Sequence, residues 1–299
     1  MIPVVFSSDH NFIMPTYVAI SSMLAKASRA CGIYLLVADD VTDEDKRILK
    51  ELAKKYGSAI EFIPVGNVFD DTFCVRGITK ATYFRLLIPW LLPQHDKVIY
   101  LDGDIVVTGD IAELYDISLG EGNLIGGIRT PGFSTNRKIR KEIENNGLNY
   151  REYINAGILI FNNDLLRKEN FKPIFLSHID KKYSFQDQDI LNITCKGRIC
   201  FLPLKYNYTG TIKPEIIDMF ISMGLATQEE ITDAVTSPVI IHYAGAKPWR
   251  EFTSRWCDWV NHYRSTPFYS QKLIDGISSK VLYPAFSLKK TIKMLIKRY

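Results

Sequence analysis

Hydrophobic and polar residues follow two distinct periods over the first third of the chain. Short apolar runs predict β-strands, and the segments between them repeat apolar residues every three or four positions, which predicts amphipathic helices. The predicted strands are Ile2–Ser8, Ile33–Val37, Ile60–Pro64 and Val98–Leu101. The predicted helices are Pro15–Ala27, Thr42–Tyr56 and Thr79–Leu92. This alternation predicts an α/β fold with a mostly parallel sheet, helices on both faces, and ligands at the carboxyl ends of the strands.

The second predicted helix carries boundary signals, whereas the second half of the chain is less regular. Thr42 with Asp45 three positions later resembles a capping box, and Gly57 follows the end of the helix. The later elements that the pattern predicts are strand Gly157–Phe161, helix Asp187–Cys195, strand Val239–His242 and helix Ser254–Tyr263. We therefore expect one catalytic domain over residues 1–265 and a separate tail over residues 266–299.

Two aspartates directly follow the strand that ends at Leu101, in the order Asp102-Gly103-Asp104. Carboxylates two positions apart project to the same side of an extended chain, and Gly103 adds no side-chain bulk between them. Such a pair suits a hard divalent cation that in turn holds two phosphates. The same residues also fit an Asp-Gly hairpin turn between Val98–Leu101 and Ile105–Val107, so both interpretations stay open.

A second stretch, from His242 to Trp249, favours the metal interpretation. His242 directly follows a buried strand, and a nitrogen ligand beside two carboxylates shifts the metal preference from Ca²⁺ or Mg²⁺ towards Mn²⁺. Gly245 lets the backbone approach a phosphate closely, and Lys247 supplies a positive charge for it. A lone histidine is more often structural, but this combination predicts a site for a metal and a diphosphate.

These two stretches together resemble the retaining glycosyltransferases of the lipopolysaccharide galactosyltransferase, glucosyltransferase and glycogenin type, glycosyltransferase family 8. The matching segments elsewhere, in the family's order, are Val5–Asn11, Thr82–Leu86, Asn155–Asn162 and Gln186–Asn192. The resemblance spans about residues 2–265 and implies a GT-A-type, Rossmann-like nucleotide-binding fold with a mixed, mostly parallel sheet. The chain departs from the family in two places. One residue fewer separates Gly245 from Lys247, and Arg129 follows Ile128 where the family often has an aspartate facing the sugars.

The resemblance implies roles for individual residues. The metal, Mn²⁺ or Mg²⁺, would be held by Asp102, Asp104 and His242, and Asp187 and Gln188 would act at the reacting sugar. The residues implied in binding the donor nucleotide, its diphosphate and its sugar are Ser7, Asp9, Asn11, Arg85, Asp102, Gly103, Asn155, Ala156, Gly245 and Lys247. Taken singly, Arg85 is typical of a solvated helix face, Asn155 of a turn and Asp187 of a helix N-cap, which is compatible with a role at a sugar hydroxyl.

The implied reaction is the Mn²⁺-dependent transfer of a hexose, glucose or galactose, from a UDP-sugar to an oligosaccharide or lipid-linked glycan. It would retain the anomeric configuration and serve the synthesis of lipopolysaccharide or another surface polysaccharide. Two alternatives remain. Asp102–Val106 also fits the haloacid-dehalogenase phosphatases, with Asp102 as nucleophile and Asp104 as general acid. A non-catalytic protein that binds nucleotide sugars would use the same contacts.

Composition and charge exclude some other classes of protein. Hydrophobic residues make up 46% and charged residues 23% of the chain, as in ordinary globular proteins and unlike disordered ones. The net charge is +4, and six cations without an acid lie between Lys280 and Tyr299, so the body is near neutral and we expect no nucleic-acid binding. Five cysteines without a C-x-x-C pair predict reduced thiols in the cytoplasm.

The two ends of the chain bear on its location. The opening residues lack a basic segment and soon reach Asp9, so we expect no signal peptide, and no apolar run approaches the roughly 18 residues of a membrane span. In the tail, one helical face is predicted to carry Leu288, Ile292, Leu295, Ile296 and Tyr299. A basic amphipathic helix of this kind either lies on an anionic surface such as the inner face of the cell membrane, or docks on the catalytic domain.

Overall fold

The computed structural model describes residues 1–69, 72, 74, 79–130, 136–210 and 214–280. The strands in these residues are β1 (Ile2–Ser8), β2 (Cys31–Val37), β3 (Ala59–Pro64), β4 (Lys97–Leu101), β5 (Ile105–Val107), β6 (Ile125–Arg129), β7 (Ile154–Asn162), β8 (Ile199–Phe201) and β9 (Ile240–His242). The α-helices are α1 (Ile13–Leu24), α2 (Asp43–Lys55), α3 (Ile88–Leu91), α4 (Ala112–Asp116), α5 (Arg137–Asn145), α6 (Asn163–Lys168), α7 (Phe171–Leu176), α8 (Gln186–Thr194), α9 (Pro214–Ser222), α10 (Gln228–Thr236) and α11 (Trp256–Tyr263). Residues 271–280 are also helical.

The main sheet has the strand order β3-β2-β1-β4-β7-β6-β8. Strands β1 to β4 run parallel to one another, β7 runs antiparallel to both β4 and β6, and β8 is parallel to β6. Residues alternate between the two faces, so Val4 and Phe6 of β1 join the apolar cluster under α1 and α2, and Val5 joins the cluster on the other face. The predicted α/β fold with helices on both faces is confirmed.

The alternative interpretation of Asp102-Gly103-Asp104 as a hairpin turn is wrong. Strand β4 pairs with β1 and β7, whereas β5 leaves the main sheet and pairs antiparallel with β9 in a second, two-stranded sheet. In this pairing Ile105 lies opposite His242, and the Tyr243 N–H donates to the carbonyl of Asp104 at 2.9 Å. The small sheet therefore places the start of β5 beside the end of β9, although the two strands are far apart in the sequence.

Two predicted helices differ in detail from the structure. The capping box on α2 is confirmed, with the Asp45 N–H donating to Thr42 Oγ1 at 3.1 Å and the Thr42 N–H donating to Asp45 Oδ2 at 2.9 Å. The predicted helix Thr79–Leu92 is instead a 3-10 helix, Lys80–Leu87, followed by the short α3. Pro89 has no N–H for the carbonyl of Arg85, which accepts from the Ile88 N–H instead, and this tighter bond is typical of a 3-10 helix.

The chain after residue 265 packs on α11 at least as far as Ile277. Ile274 and Ile277 are buried in the same apolar cluster as Trp259 of α11, and Phe268 packs against it. The division at residue 265 stays a prediction, as does the role of the tail, whose stripe of Leu288, Ile292, Leu295, Ile296 and Tyr299 lies outside the described residues. Within the described residues, no helix is both long and apolar enough to cross a membrane.

Candidate metal and donor-sugar site

Three predicted metal ligands meet where β4, β5 and β9 come together. Asp102 directly follows β4, Asp104 directly precedes β5, and His242 is the last residue of β9. One ligand atom from each lies within 4.8 Å of the others. His242 Nε2 is 3.3 Å from Asp104 Oδ1 and 3.7 Å from Asp102 Oδ2. Residues distant in the sequence thus form one compact set of two carboxylates and an imidazole.

Two observations indicate that this set fits a divalent cation. Asp104 Oδ1 is buried and has no hydrogen-bond partner among the described residues, although an unpaired buried carboxylate oxygen is costly unless a cation balances it. Gly157 of β7 lies against the set, and a Cβ there would come within 2.7 Å of Asp102 Oδ2 and would overlap the His242 ring. Glycine therefore leaves room beside the ligand atoms that any other residue would fill.

Gly103 is constrained from the other side. A Cβ at this position would lie 2.5 Å from Thr16 Oγ1 and 3.2 Å from the Phe12 ring, so the chain between the two aspartates packs directly on α1. Close approach, rather than turn formation, explains a glycine here.

Lys247 contacts the carboxylate cluster. Its ammonium group donates to Asp104 Oδ2 and, at 2.7 Å, to the carbonyl of Tyr243. Burial opposes ionisation of Asp104, but the charges of His242 and Lys247 outweigh it, and the pKa of the Asp104 carboxyl lies well below its ordinary value. Gly245 is exposed, and a Cβ added to it would meet no atom within 4 Å among the described residues. The loop therefore presents open backbone at Gly245 and a lysine attached to a predicted metal ligand.

Arg85 is a buried bridge and not a solvated helix residue, so the simpler interpretation of this arginine is wrong. Its side chain is 5% exposed, with Nη2 2.9 Å from Asp102 Oδ1 and Nε 2.9 Å from Asp187 Oδ2. The guanidinium also donates to the carbonyl of Ala156 and lies 4.4 Å from the centre of the Tyr100 ring. The Arg85 guanidinium therefore joins the carboxylate of a predicted metal ligand, Asp102, to that of Asp187 on α8.

Asp187 is not a helix N-cap, because Phe185 holds the N-cap position and no side chain caps α8 there. Thr82 Oγ1 donates to Asp187 Oδ1 at 2.7 Å, whereas no described residue donates a hydrogen bond to Oδ2, since the Arg85 Nε–H points to the carbonyl of Thr82. Burial raises the pKa of Asp187 to about 6, and the charge of Arg85 opposes that rise only in part. Asp187 is thus a buried carboxylate whose Oδ2 is ion-paired with Arg85 but accepts no hydrogen bond from the described residues.

Asn155 and Gln188 form a side-chain pair between β7 and α8. Asn155 is the second residue of β7 and not a turn residue, so that simpler interpretation is also wrong. Gln188 Oε1 accepts from Asn155 Nδ2 and from the Ala156 N–H, each at 3.0 Å. The neighbouring Asn192 binds both the N–H and the carbonyl of Ile154, which fixes α8 against β7. Hydrogen bonds from Gln188 and Asn192 therefore fasten α8 to the start of β7.

The residues predicted to contact the uridine have different environments. Ser7 Oγ lies 2.8 Å from the Tyr100 hydroxyl, which donates to Asp102 Oδ1 at 2.8 Å. Asp9 accepts from the Phe12 N–H at 3.0 Å and so caps the 3-10 helix His10–Phe12. The side chain of Asn11 is exposed. Ser7 and Asp9 thus already have partners within the chain.

Sequence reasoning missed Asn207. Its side chain is buried, and its Oδ1 lies 2.9 Å from His242 Nδ1, on the side of the ring away from the two aspartates. Asn207 Nδ2 donates to Asn155 Oδ1 at 2.9 Å. Asn207 follows the 3-10 helix Leu204–Tyr206 in the irregular half of the chain, where no periodic pattern marks it. Only the folded chain brings it to His242.

Arg129 stands where the resembling family often has an aspartate. Its guanidinium lies 3.6 Å from the centre of the Phe201 ring and donates to the carbonyl of Leu225 at 3.3 Å. Together with Phe201, Leu225 and Glu230 it lines a cavity of about 90 Å³. The contacts of Arg129 are therefore with β8 and the α9–α10 region, and none of those named here is with a predicted site residue.

Comparison with known proteins places these features in context. The model of glycosyl transferase family 8 matches residues 3–253. A lipopolysaccharide 1,3-galactosyltransferase of Salmonella typhimurium is 26% identical and a lipopolysaccharide 1,2-glucosyltransferase of Escherichia coli 27% identical over 257 residues, which are 83% of this chain and 73% of each relative.

Among solved structures, the galactosyltransferase LgtC, in complex with donor and acceptor sugar analogues, aligns with a TM-score of 0.76. It is 25% identical, and the alignment covers 91% of this chain and 98% of LgtC. This likeness confirms the predicted GT-A-type fold.

Proposed function

This chain belongs to glycosyl transferase family 8, and on that basis we propose that it transfers glucose or galactose from a UDP-sugar to a glycan acceptor. The observation that carries the proposal is the convergence of Asp102, Asp104 and His242 within 4.8 Å beside Gly157. An aspartyl phosphatase would leave His242 and the loop to Trp249 without a role. Membership of the family therefore replaces the phosphatase hypothesis.

The three ligands would hold one divalent cation. Two carboxylate oxygens with one imidazole nitrogen favour Mn²⁺, with Mg²⁺ as the second choice. When bound, such a cation supplies positive charge for the diphosphate oxygens of the donor. Lys247, attached to Asp104, adds a second positive charge at the same place, and Gly245 lets the diphosphate approach the backbone.

The remaining predicted residues orient the donor. Asn11 is exposed, so its amide is accessible to the uridine beside the loop of Ser7 and Asp9. Arg85 holds Asp102 and Asp187 in fixed positions. Asp187 then accepts a hydrogen bond from a sugar hydroxyl, because its Oδ2 has no donor among the described residues.

The proposed bond changes retain the anomeric configuration, as the family resemblance implies. The bond from the anomeric carbon to the phosphate oxygen breaks, and its electron pair goes to the departing UDP. The acceptor hydroxyl oxygen bonds to the anomeric carbon on the same face, and its proton passes to the departing phosphate oxygen. Gln188 lies beside this carbon, fixed by the Asn155 and Ala156 donors. Asp189 is a poor nucleophile because both its oxygens already accept hydrogen bonds, from Tyr153 and Phe185.

The acceptor class comes from the relatives. Both bacterial relatives are named for lipopolysaccharide, so we propose that this enzyme extends lipopolysaccharide or another surface glycan. An oligosaccharide or lipid-linked glycan acceptor fits a cytoplasmic enzyme that works at the inner face of the membrane.

A thermal-shift screen tests the donor and the metal together. A ligand that binds only the folded protein raises the melting temperature, so UDP-glucose or UDP-galactose with Mn²⁺ should raise it more than either alone. Asp104→Asn should abolish the joint effect, while Asp96→Asn, at an exposed carboxylate, should retain it. A larger rise with GDP- or CMP-sugars than with UDP-sugars would contradict the proposal.

A further inference from the structure

We infer that Asn207 is a positioning residue that sets the tautomer of His242 and links the metal ligands to the Asn155–Gln188 pair. The inference rests on the proposed function, because it concerns how the same site is prepared for its metal and its donor. It starts from the directions of the hydrogen bonds in the chain of side chains between His242 and Asp189.

Two backbone groups fix the orientation of two side-chain amides. The Gly157 N–H points at one end of the Asn155 amide at 2.9 Å, and the Ala156 N–H points at one end of the Gln188 amide at 3.0 Å. A backbone N–H can only donate, so both of these side-chain atoms must be oxygens. The amide assignments at Asn155 and Gln188 therefore follow from the backbone itself.

The orientation of Asn207 follows from that of Asn155. Asn155 Oδ1 also faces one end of the Asn207 amide at 2.9 Å, and that end must be the donating NH₂. The other end, which faces His242 Nδ1 at 2.9 Å, is then the oxygen. Nδ1 must carry the hydrogen, and in a neutral imidazole Nε2 is left with a free lone pair.

That lone pair points at the two aspartates. His242 Nε2 is 3.3 Å from Asp104 Oδ1, which has no hydrogen-bond donor among the described residues, and 3.7 Å from Asp102 Oδ2. A lone pair facing carboxylate oxygens is unfavourable unless a second ring proton or a metal cation lies between them, and a metal-binding histidine normally donates its other ring N–H to a fixed acceptor. Asn207 is that acceptor, so it prepares His242 as a ligand.

All the bonds beyond His242 run in one direction. His242 donates to Asn207, Asn207 to Asn155 and Asn155 to Gln188. Gln188 Nε2 donates to the Tyr153 hydroxyl at 3.3 Å, and that hydroxyl donates to Asp189 Oδ1 at 2.6 Å. Hydrogen bonds in such a series polarise one another, so the carboxylate at the far end increases the electron density on the imidazole. The metal ligand and Gln188 are thereby parts of one network.

Three variants separate the two roles of Asn207. Asn207→Ala removes both bonds, whereas Asn207→Asp still accepts from His242 but cannot donate to Asn155. We expect Mn²⁺ affinity, measured by titration calorimetry without donor, to fall about 10- to 100-fold in Asn207→Ala and less than about 3-fold in Asn207→Asp. Both variants should lower kcat/KM for UDP-sugar turnover. Asn163→Ala, at another buried asparagine whose side chain binds only the His95 carbonyl among the named bonds, is the matched control.

The outcomes distinguish this inference from the proposed function. Wild-type protein that binds no divalent cation would contradict the metal site itself. Wild-type binding with equal affinity in Asn207→Ala would overturn only the role of Asn207. If Asn207→Ala fails to fold, ¹⁵N NMR spectra of the metal-free wild type still test the inference. The ring signals of His242 are identified as those missing from the spectrum of His242→Gln. A hydrogen on Nδ1 is expected at alkaline pH, and a hydrogen on Nε2 would overturn the inference.

Discussion

At the scale of single residues, the site depends on two glycines whose neighbours leave no room for a side chain. A Cβ at Gly157 would collide with both Asp102 and His242. A Cβ at Gly103 would collide with Thr16 of α1. Neither requirement is visible in the sequence, because the neighbours come from other strands and helices. The pattern Asp102-Gly103-Asp104 indicated the metal, but the reason for its glycine came only from the fold.

Arg85, Asn155 and Asp187 show the limit of sequence reasoning about single residues. Each has an ordinary interpretation on its own, as a solvated, turn or capping residue, and each is in fact buried or held in the site. Their order along the chain, compared with a known family, was informative where the individual residue was not. Asn207 matched no motif, and nothing in the sequence identified it.

The raised pKa of Asp187 predicts a pH-dependent cost of burying this carboxyl. The pKa of Asp187 rises on folding from 3.8 to about 6. Such a carboxyl contributes stability that is fully present below pH 3.8 and is lost as the pH rises through about 6. Asp187→Asn cannot ionise, so its stability relative to wild type should increase by about 2 kcal/mol between pH 4 and pH 7, at roughly 1.4 kcal/mol per pKa unit. Urea unfolding in EDTA at several pH values measures this difference. A difference that does not change with pH would contradict the burial of an ionisable Asp187.

At the scale of secondary structure, the alternating pattern predicted the strands β1 to β4 and the helices α1 and α2 closely. It did not predict that β5 leaves the main sheet to pair with β9, because pairing between strands far apart in the sequence is set by tertiary contacts. It also predicted a regular helix where Pro89 and the bonds of Arg85 produce a 3-10 helix. Both departures lie next to the site.

The C-terminal elements predict two separable effects. Truncation at Pro284 should leave the fold and soluble UDP-sugar hydrolysis intact and abolish salt-sensitive binding to anionic vesicles, because it removes five of the six tail cations. Ile274→Ala should instead lower stability by about 2–4 kcal/mol through loss of packing on the Trp259 cluster, and should leave vesicle binding unchanged. Vesicle sedimentation and thermal unfolding measure the two effects. Equal vesicle binding by full-length and truncated protein would contradict a membrane role for the tail.

At the scale of the whole molecule, the fold class and the edge of the sheet that carries the site could be predicted from the sequence. Consecutive parallel strands place their carboxyl ends together, and the residues after them are readable in order. The antiparallel β7 and the irregular segment that carries Asn207 bring in the side chains that complete the site, and these depend on long-range packing.

The most direct test of the central claim is the release of UDP from UDP-glucose and UDP-galactose, measured with Mn²⁺ and with EDTA. Wild-type protein should release UDP with Mn²⁺, faster when a glycan acceptor is present, and should lose this activity in EDTA. Asp102→Asn and Gly157→Ala should be inactive while remaining folded, and Asp96→Asn should match wild type. Full activity in EDTA would contradict the metal site, and binding of UDP-sugars without any release of UDP would show a binding protein in place of a glycosyltransferase.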